Sequence, residues 1–579
     1  MTTSTFTPPS PGAWELEQTH LTRPPSVFTA AVIPEPMMAG FKEGTAFYGL
    51  LLDYLDVAVI NRFLYVAPRA VGAPKSAHGP PPRIVFEILR RLHPAVRRRV
   101  GRAETVFRDR VWRQDVERWD REWRPRMKMQ AEPLLAEDLS TTSDAQLADH
   151  MRRATAFMRD SAFVHHRLNF CALLPVGDFL VHAMEWTGLP AGELLQSMRG
   201  LSPASAGALG ELTRLRNALL ESPDALAVVN GGDGDAAILA TLQARQDTVG
   251  EAARAYVDVV GLRILGGYDV ADRHAREHPE MILKVIRAAV SGEDTTRRAA
   301  ATQALTRIRE RVPEPHRAQF DELLKEAQYV YRVRDERGFY GDLIASGLAR
   351  RAILAAGERL VAQGRAHSAE DLVDASPDEI IALLEGRPGP SAAELAERSR
   401  WRRETPMSAA PANLGFAPSP PPPPDWLPGA AARLQRITAL VMSLMFDVHK
   451  SKVQGVQGVQ GVQEVQEVQE VQQSPLTGFA VSSGVYEGPV RVIRNIEELP
   501  AVQKGEVLVA PSTGAAFNVV LPLIGALVTE RGGVLSHAAI VSREYGLPGI
   551  VGCVGAATKL KTGMRVRVDG DKGEVWTIA

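Results

Sequence analysis

Between Gly525 and Gly552 the chain reads as strand, glycine loop, helix and strand in quick succession, and this stretch constrains the fold more than any other. The apolar run from Gly525 to Val528 predicts a buried strand, which Gly532-Gly533 breaks. Ser536 is placed as the N-cap of a helix that begins at His537 and continues through Ala538-Ala539-Ile540-Val541. Gly546 supplies a C-terminal stop, and Leu547-Pro548 leads into a second short strand, Gly549 to Val551. His537 therefore belongs to a first helical turn, where unpaired N–H groups and the positive end of the helix dipole meet a glycine turn. That setting suits a histidine that carries a phosphoryl group, because a neutral imidazole of pKa about 6.5 is a competent nucleophile near neutrality. A lone histidine at a helix start can also do no more than hydrogen-bond its own turn.

The whole string Thr529-Glu530-Arg531-Gly532-Gly533-Val534-Leu535-Ser536-His537 resembles the phosphohistidine motif of the mobile, swivelling domain shared by pyruvate phosphate dikinase, phosphoenolpyruvate synthase and rifampicin phosphotransferase. The match runs nearly unbroken to Gly552. Upstream, Gly484-Val485-Tyr486-Glu487-Gly488-Pro489-Val490 and Val507-Leu508-Val509-Ala510-Pro511-Ser512-Thr513 resemble the first hairpin and a strand-to-loop segment of the same domain. The resemblance implies that His537 is the phosphoryl carrier, with Thr529, Gly532, Gly533 and Ser536 as its immediate environment.

At 579 residues the chain is long enough for about three or four compact units. A net charge of −1 with 23% charged residues gives no global basic field for nucleic acid and no acidic excess for disorder. Cys171 and Cys553 are too few, and too unlike a metal spacing, for a disulfide framework or a zinc site. The first residues carry no basic-then-apolar signal, and apolar runs such as Ile437 to Phe446 fall short of the roughly 20 residues that span a bilayer. The expectation is a soluble, cytoplasmic protein with no nucleic-acid or membrane partner and no metal site of its own.

In chain order, residues 1–13 read as a disordered lead. From Trp14 through His20 to Arg23-Pro24, the chain resembles the opening of the acceptor-binding domain of the rifampicin phosphotransferase family, which makes His20 a candidate to face substrate. From about Val85 to Glu385 the pattern is helical, and residues 14–402 are expected to form one mainly helical, acceptor-binding-like domain. Within it, His274-Ala275-Arg276-Glu277-His278 fits the H-x-x-E-H string of a zinc peptidase class, but Pro279 biases His278 away from helix and no third ligand is evident. His165, His166, Asn169, Asp178 and His182 form a polar group in an apolar setting, read as a satisfied core network. Arg334 and Arg337, three apart on a helix, share a face that could grip a phosphoryl group or simply be a solvated basic face. The stretch around them resembles the arginine-bearing segment the family uses near its acceptor, without the family's lysine.

The prolines of residues 403–429, including the run Pro420 to Pro424, predict a stiff extended connector, followed by a short helix over 430–452. Seven Val-Gln-x triplets from Val453 to Gln473 present no stable helical or strand face and read as a linker. Such a linker has a root-mean-square reach of about 25 Å and a stretched limit of roughly 70 Å, enough to let a domain at 474–579 shuttle. The fold class expected is therefore a mainly α-helical acceptor-like domain plus a C-terminal α/β swivelling phosphohistidine domain. In the resembled enzymes a nucleotide-grasping domain phosphorylates the histidine. The expectation here is a phosphotransferase subunit that receives phosphate from a separate ATP-grasp protein, on which ATP and Mg2+ bind, and passes it to a hydroxylated small-molecule acceptor. The alternative is a regulatory or ligand-sequestering protein with a vestigial phosphohistidine domain.

Overall fold

A computed structural model describes residues 5–18, 21–201, 209–265, 269–291, 300–445, 475–514, 517–518 and 520–578. The chain divides into two compact units: residues 1–176, 257–277 and 326–437 form the first, and 177–256, 278–325 and 438–579 the second. The helical region 14–402, expected as one domain, is thus shared between two units. Helical periodicity reports that a helix has an apolar face, not which partner covers it.

In the first unit, strands β1 (Ala13–Leu16), β2 (Leu52–Ile60), β3 (Phe63–Ala70) and β4 (Asn413–Gly415) form an antiparallel sheet in the order β2-β3-β1-β4. The β2–β3 hairpin turns on Asn61 and Arg62, both with positive φ, as a two-residue turn that matches strand twist demands. Trp14, Phe63, Tyr65 and Leu414 pack on one face, and Val57 and Leu64 meet Met37 on the other. Long helices supply the rest of the body. Asp144–Arg167 opens with a Ser143/Gln146 capping box and buries Leu147, Met151, Ala154, Met158 and Ala162 along one stripe. Gly40 lets helix Pro34–Tyr48 lie against it, since a Cβ there would stand 2.4 Å from the Phe163 carbonyl oxygen.

Two expectations are corrected here. The described part of the lead, residues 5–13, joins the fold: Phe6 packs 5.9 Å from Phe63, and Trp14 Nε1–H donates to the Ser10 carbonyl at 2.9 Å. The proline-rich segment is not a free connector either. Leu414 is buried opposite Trp14 in β4, and Phe416 N–H donates to the Gly12 carbonyl at 2.9 Å, so an edge strand interrupts the prolines. The following helix runs Gly429–Met445, and the Val453–Gln473 triplets lie outside the described residues.

The second unit combines helices, among them Leu209–Leu220, Asp235–Ala244 and Pro279–Val290, with an eight-stranded sheet. Its strands are β5 (Leu476–Thr477), β6 (Phe479–Ser482), β7 (Val485–Val492), β8 (Val507–Ala510), β9 (Ala526–Thr529), β10 (Gly549–Val551), β11 (Arg565–Asp569) and β12 (Glu574–Thr577), in the order β5-β12-β11-β7-β8-β9-β10-β6. The four strands β7 to β10 are parallel, and antiparallel pairs flank them. Val507, Val509, Ala526, Val528, Ile550 and Val566 fill its core. Helical residues hold the sheet at two places. Gly192 approaches until a Cβ would lie 2.2 Å from the Ala480 carbonyl oxygen, beside a 3.0 Å bond from Gln196 Nε2–H to the Val481 carbonyl. Lys284 Nζ donates to the Pro500 carbonyl at 2.9 Å.

Candidate functional site

The site stands at the C-terminal ends of the parallel strands, where open α/β sheets place their ligands. Buried β9 ends at Thr529, whose Oγ1–H donates to the Arg531 carbonyl at 2.9 Å and shapes the exit loop. Two further bonds pin that loop to the end of β8: Glu530 N–H to the Ala510 carbonyl, 3.0 Å, and Arg531 N–H to the Pro511 carbonyl, 2.9 Å. The Glu530 carboxylate accepts from Ala557 N–H at 2.8 Å and caps the short helix Ala556–Lys559. Gly532 has φ +107°, a conformation that L side chains rarely adopt. At Gly533 a Cβ would fall 1.8 Å from the Leu444 carbonyl oxygen, because helical residues 438–445 end directly on this loop.

Ser536 then caps the nine-residue helix His537–Tyr545, its Oγ accepting from Ala539 N–H at 3.4 Å, and Gly546 closes the helix in the left-handed region. The helix returns the chain to β10, which pairs parallel to β9, completing a strand–helix–strand crossover. Buried Arg543 fixes the loop from beneath by donating to the Val534 carbonyl at 3.2 Å and the Val481 carbonyl at 3.3 Å. His537 is half-buried, and its Nε2–H donates to Asn518 Oδ1 at 3.1 Å. A half-exposed imidazole with N–H donors behind it and a glycine loop beside it can accept and release an anionic group.

A family model described as "PEP-utilising enzyme, mobile domain" matches residues 502–573, the part of the chain that holds this site. This stretch is similar to the mobile domain of PEP-utilising enzymes. A second model, "Rifampicin phosphotransferase fourth domain", matches residues 177–335. Among curated proteins, the chain is 28% identical over 268 residues to an uncharacterized phosphotransferase, YvkC, of Bacillus subtilis (strain 168), a stretch that covers 45% of this chain and 28% of that protein. Rifampicin phosphotransferase of the same organism is 43% identical over 100 residues, covering 17% and 11% of the two chains. Phosphoenolpyruvate synthase of Pyrococcus furiosus is 45% identical over 101 residues, covering 17% and 12%. The aligned stretches thus span between about a tenth and just over a quarter of these relatives' lengths.

The matched region brings Thr529, Gly532, Gly533, Ser536 and His537 together on one loop and helix start. The residues singled out elsewhere are placed differently. Arg337 is buried, and its Nη1–H donates to the His165 carbonyl at 2.5 Å while its Nε–H donates to the Arg334 carbonyl at 3.3 Å. Helical spacing puts both guanidinium groups on one face, whereas tertiary packing turns Arg337 inward toward backbone carbonyls. Arg334 stays half-buried on helix Val333–Arg337, and His20 lies outside the described residues. His165 Nδ1–H donates to Asp342 at 2.5 Å beside a Ser161–Asp342 bond of 2.8 Å, while His166 and His182 donate to the Ala162 and Asp178 carbonyls one helical turn back. In the H-x-x-E-H string, Glu277 is held by Arg350 through two 2.7 Å bonds, and His278 precedes a helix that starts only at Pro279. Among the described residues, no group of three or more His, Cys, Asp or Glu could hold a metal ion, and no helix is long and apolar enough to cross a membrane.

Sequence reading passed over Asn518 and Arg543. The signal for Asn518 was a lone amide within the run from Phe517 to Ile524; Arg543 gave none, since a helical arginine in the last turn reads equally well as a solvated C-terminal charge.

Proposed function

We propose that this chain is a phosphotransferase that carries a phosphoryl group on His537. An ATP-grasp protein, with Mg2+ neutralising the nucleotide phosphates, donates the group, and a hydroxyl of a small molecule held by the helical region accepts it. The neutral imidazole attacks phosphorus, a P–N bond forms as the bond to the leaving phosphate breaks, and the acceptor oxygen later takes the phosphoryl group, its hydroxyl proton passing to solvent as the P–N bond breaks and the imidazole leaves. The observation that carries this reading is the placement of His537: the first turn of a Ser536-capped helix, behind Gly532-Gly533, inside the stretch that matches the mobile domain of PEP-utilising enzymes. The rifampicin phosphotransferase relatives support a hydroxylated acceptor. A protein that only binds a ligand has no need of an imidazole at an anion-stabilising helix start.

The test is to incubate the chain with labelled ATP, Mg2+ and an ATP-grasp donor, and to follow acid-labile, alkali-stable label. One phosphoryl group per chain is expected on wild type and none on His537→Ala. Label that persists in the variant would sink the assignment. Transfer to candidate hydroxylated acceptors, against binding without turnover, separates the enzyme from the ligand-sequestering alternative.

A further inference from the structure

Asn518 lies between two buried apolar anchors, Phe517 and Val520, in the segment that joins β8 to β9. Phe517 N–H donates to the Gly514 carbonyl at 3.0 Å and Val520 N–H to the Phe517 carbonyl at 2.9 Å, so the backbone around Asn518 is held at both sides. Its carboxamide reaches His537 Nε2 at 3.1 Å across 19 positions of sequence. Nε2 is the distal ring nitrogen, the one with room for a phosphoryl group, since Nδ1 is adjacent to the carbon that bears the side chain and lies closer to the helix backbone. A carboxamide offers both an acceptor oxygen and two N–H donors, and rotation about its last bond exchanges them.

Resting on the phosphohistidine reading above, we infer that Asn518 is a catalytic residue of the carrier step. In the resting domain its Oδ1 accepts Nε2–H and holds the ring's orientation. For transfer, the proton moves from Nε2 to Nδ1 through solvent. The Nε2 lone pair then attacks phosphorus, the P–N bond forms, and the donor's bond to phosphorus breaks. The Asn518 carboxamide turns over, and its Nδ2–H donates to a phosphoryl oxygen, which favours the anionic product. One side chain thereby serves both states of the histidine.

The test needs no partner protein, because potassium phosphoramidate delivers a phosphoryl group to histidine with loss of ammonia. Wild type, Asn518→Ala, Asn518→Asp and His537→Ala are treated alike. Phosphohistidine is followed by 31P NMR, and the His537 ring is titrated by 1H NMR in the unphosphorylated proteins. Asn518→Ala is expected to shorten the phosphohistidine lifetime several-fold, because the donor to the phosphoryl oxygens is gone. Asn518→Asp is expected to raise the His537 pKa by about one unit, as a carboxylate acceptor favours the imidazolium, and to slow phosphorylation at least about tenfold. The titration in Asn518→Asp reports only that the side chain touches the ring, whereas the phosphohistidine lifetime in Asn518→Ala is the readout that a merely structural asparagine would not move. Phosphorylated His537 with the same lifetime, rate and titration in all three Asn518 forms would overturn the inference and leave the carrier reading standing. Phosphohistidine equal in wild type and His537→Ala would overturn both.

Discussion

Gly533 has an ordinary backbone conformation, so what forbids a side chain there is the Leu444 carbonyl oxygen, 1.8 Å from where a Cβ would stand. Gly533→Ala should therefore push residues 438–445 off the loop and cost about 1–3 kcal/mol of stability. Gly532→Ala is strained for the other reason, a φ of +107°, and should cost about 1–2 kcal/mol with the helix end still in place. Thermal unfolding measures both costs, and a proteolytic site opening near Met445 in the first variant alone tells the mechanisms apart. The glycine pair was legible in the sequence, but its division of labour was not. Gly532 answers a local backbone demand, whereas Gly533 answers a contact from a helix some ninety positions earlier in the chain.

Between elements, Arg350 on helix Leu343–Ala362 makes a multiply bonded polar connection in the first unit. The side chain is fully buried, bonded to both oxygens of Glu277 at 2.7 Å, to Glu370 at 2.6 Å and to the Val270 carbonyl at 3.0 Å. Removing it with Arg350→Met should cost about 2–3 kcal/mol, because the half-buried Glu277 and Glu370 carboxylates and the Val270 carbonyl lose a charged donor; chemical denaturation checks this. His274, one turn before Glu277, gives the same knot a pH dependence. Burial first, then the Arg350 and Arg276 charges, hold its imidazole down at about 4, against the pull of Glu277. The unfolded chain, with a value near 6.5, therefore binds the proton more readily than the folded one. The sign follows: this contribution is complete above about pH 6.5 and is lost as pH falls, by about 2 kcal/mol at pH 5. His274→Gln should flatten that part of the stability profile; a profile unchanged between pH 7 and 5 would show that His274 does not titrate as its burial requires. The H-x-x-E-H spacing was visible in the sequence, but its use was decided by which arginine reached Glu277.

For the whole molecule, the segment from Pro406 to Gln473 holds a strand that pairs in the first sheet and, outside the described residues, the triplet repeats. Leu414→Asp, in the middle of β4 against Trp14, should destabilise the first unit by at least about 2 kcal/mol, read as a fall in its unfolding midpoint. Replacing Val453–Gln473 with an equally long Gly/Ser segment should leave that midpoint alone and, on the proposed carrier function, keep phosphorylation of the acceptor within a few-fold, since a tether contributes through length. Failure of transfer in the Gly/Ser chain would mean that the triplets make specific contacts.

What the sequence determined by itself was everything set by neighbours a few positions apart. The strand, glycine loop, Ser536 cap, helix and strand around His537 follow from local backbone preferences, and the helical character from Val85 to Glu385 follows from composition and period. Tertiary structure decided the rest, because it depends on contacts between distant positions. Trp14 pairs with Leu414 across four hundred residues and draws a proline-rich stretch into a sheet. Arg337 turns to the His165 carbonyl instead of outward. Asn518 reaches His537 only because parallel β8 and β9 bring their C-terminal ends together, which no periodicity along the chain records.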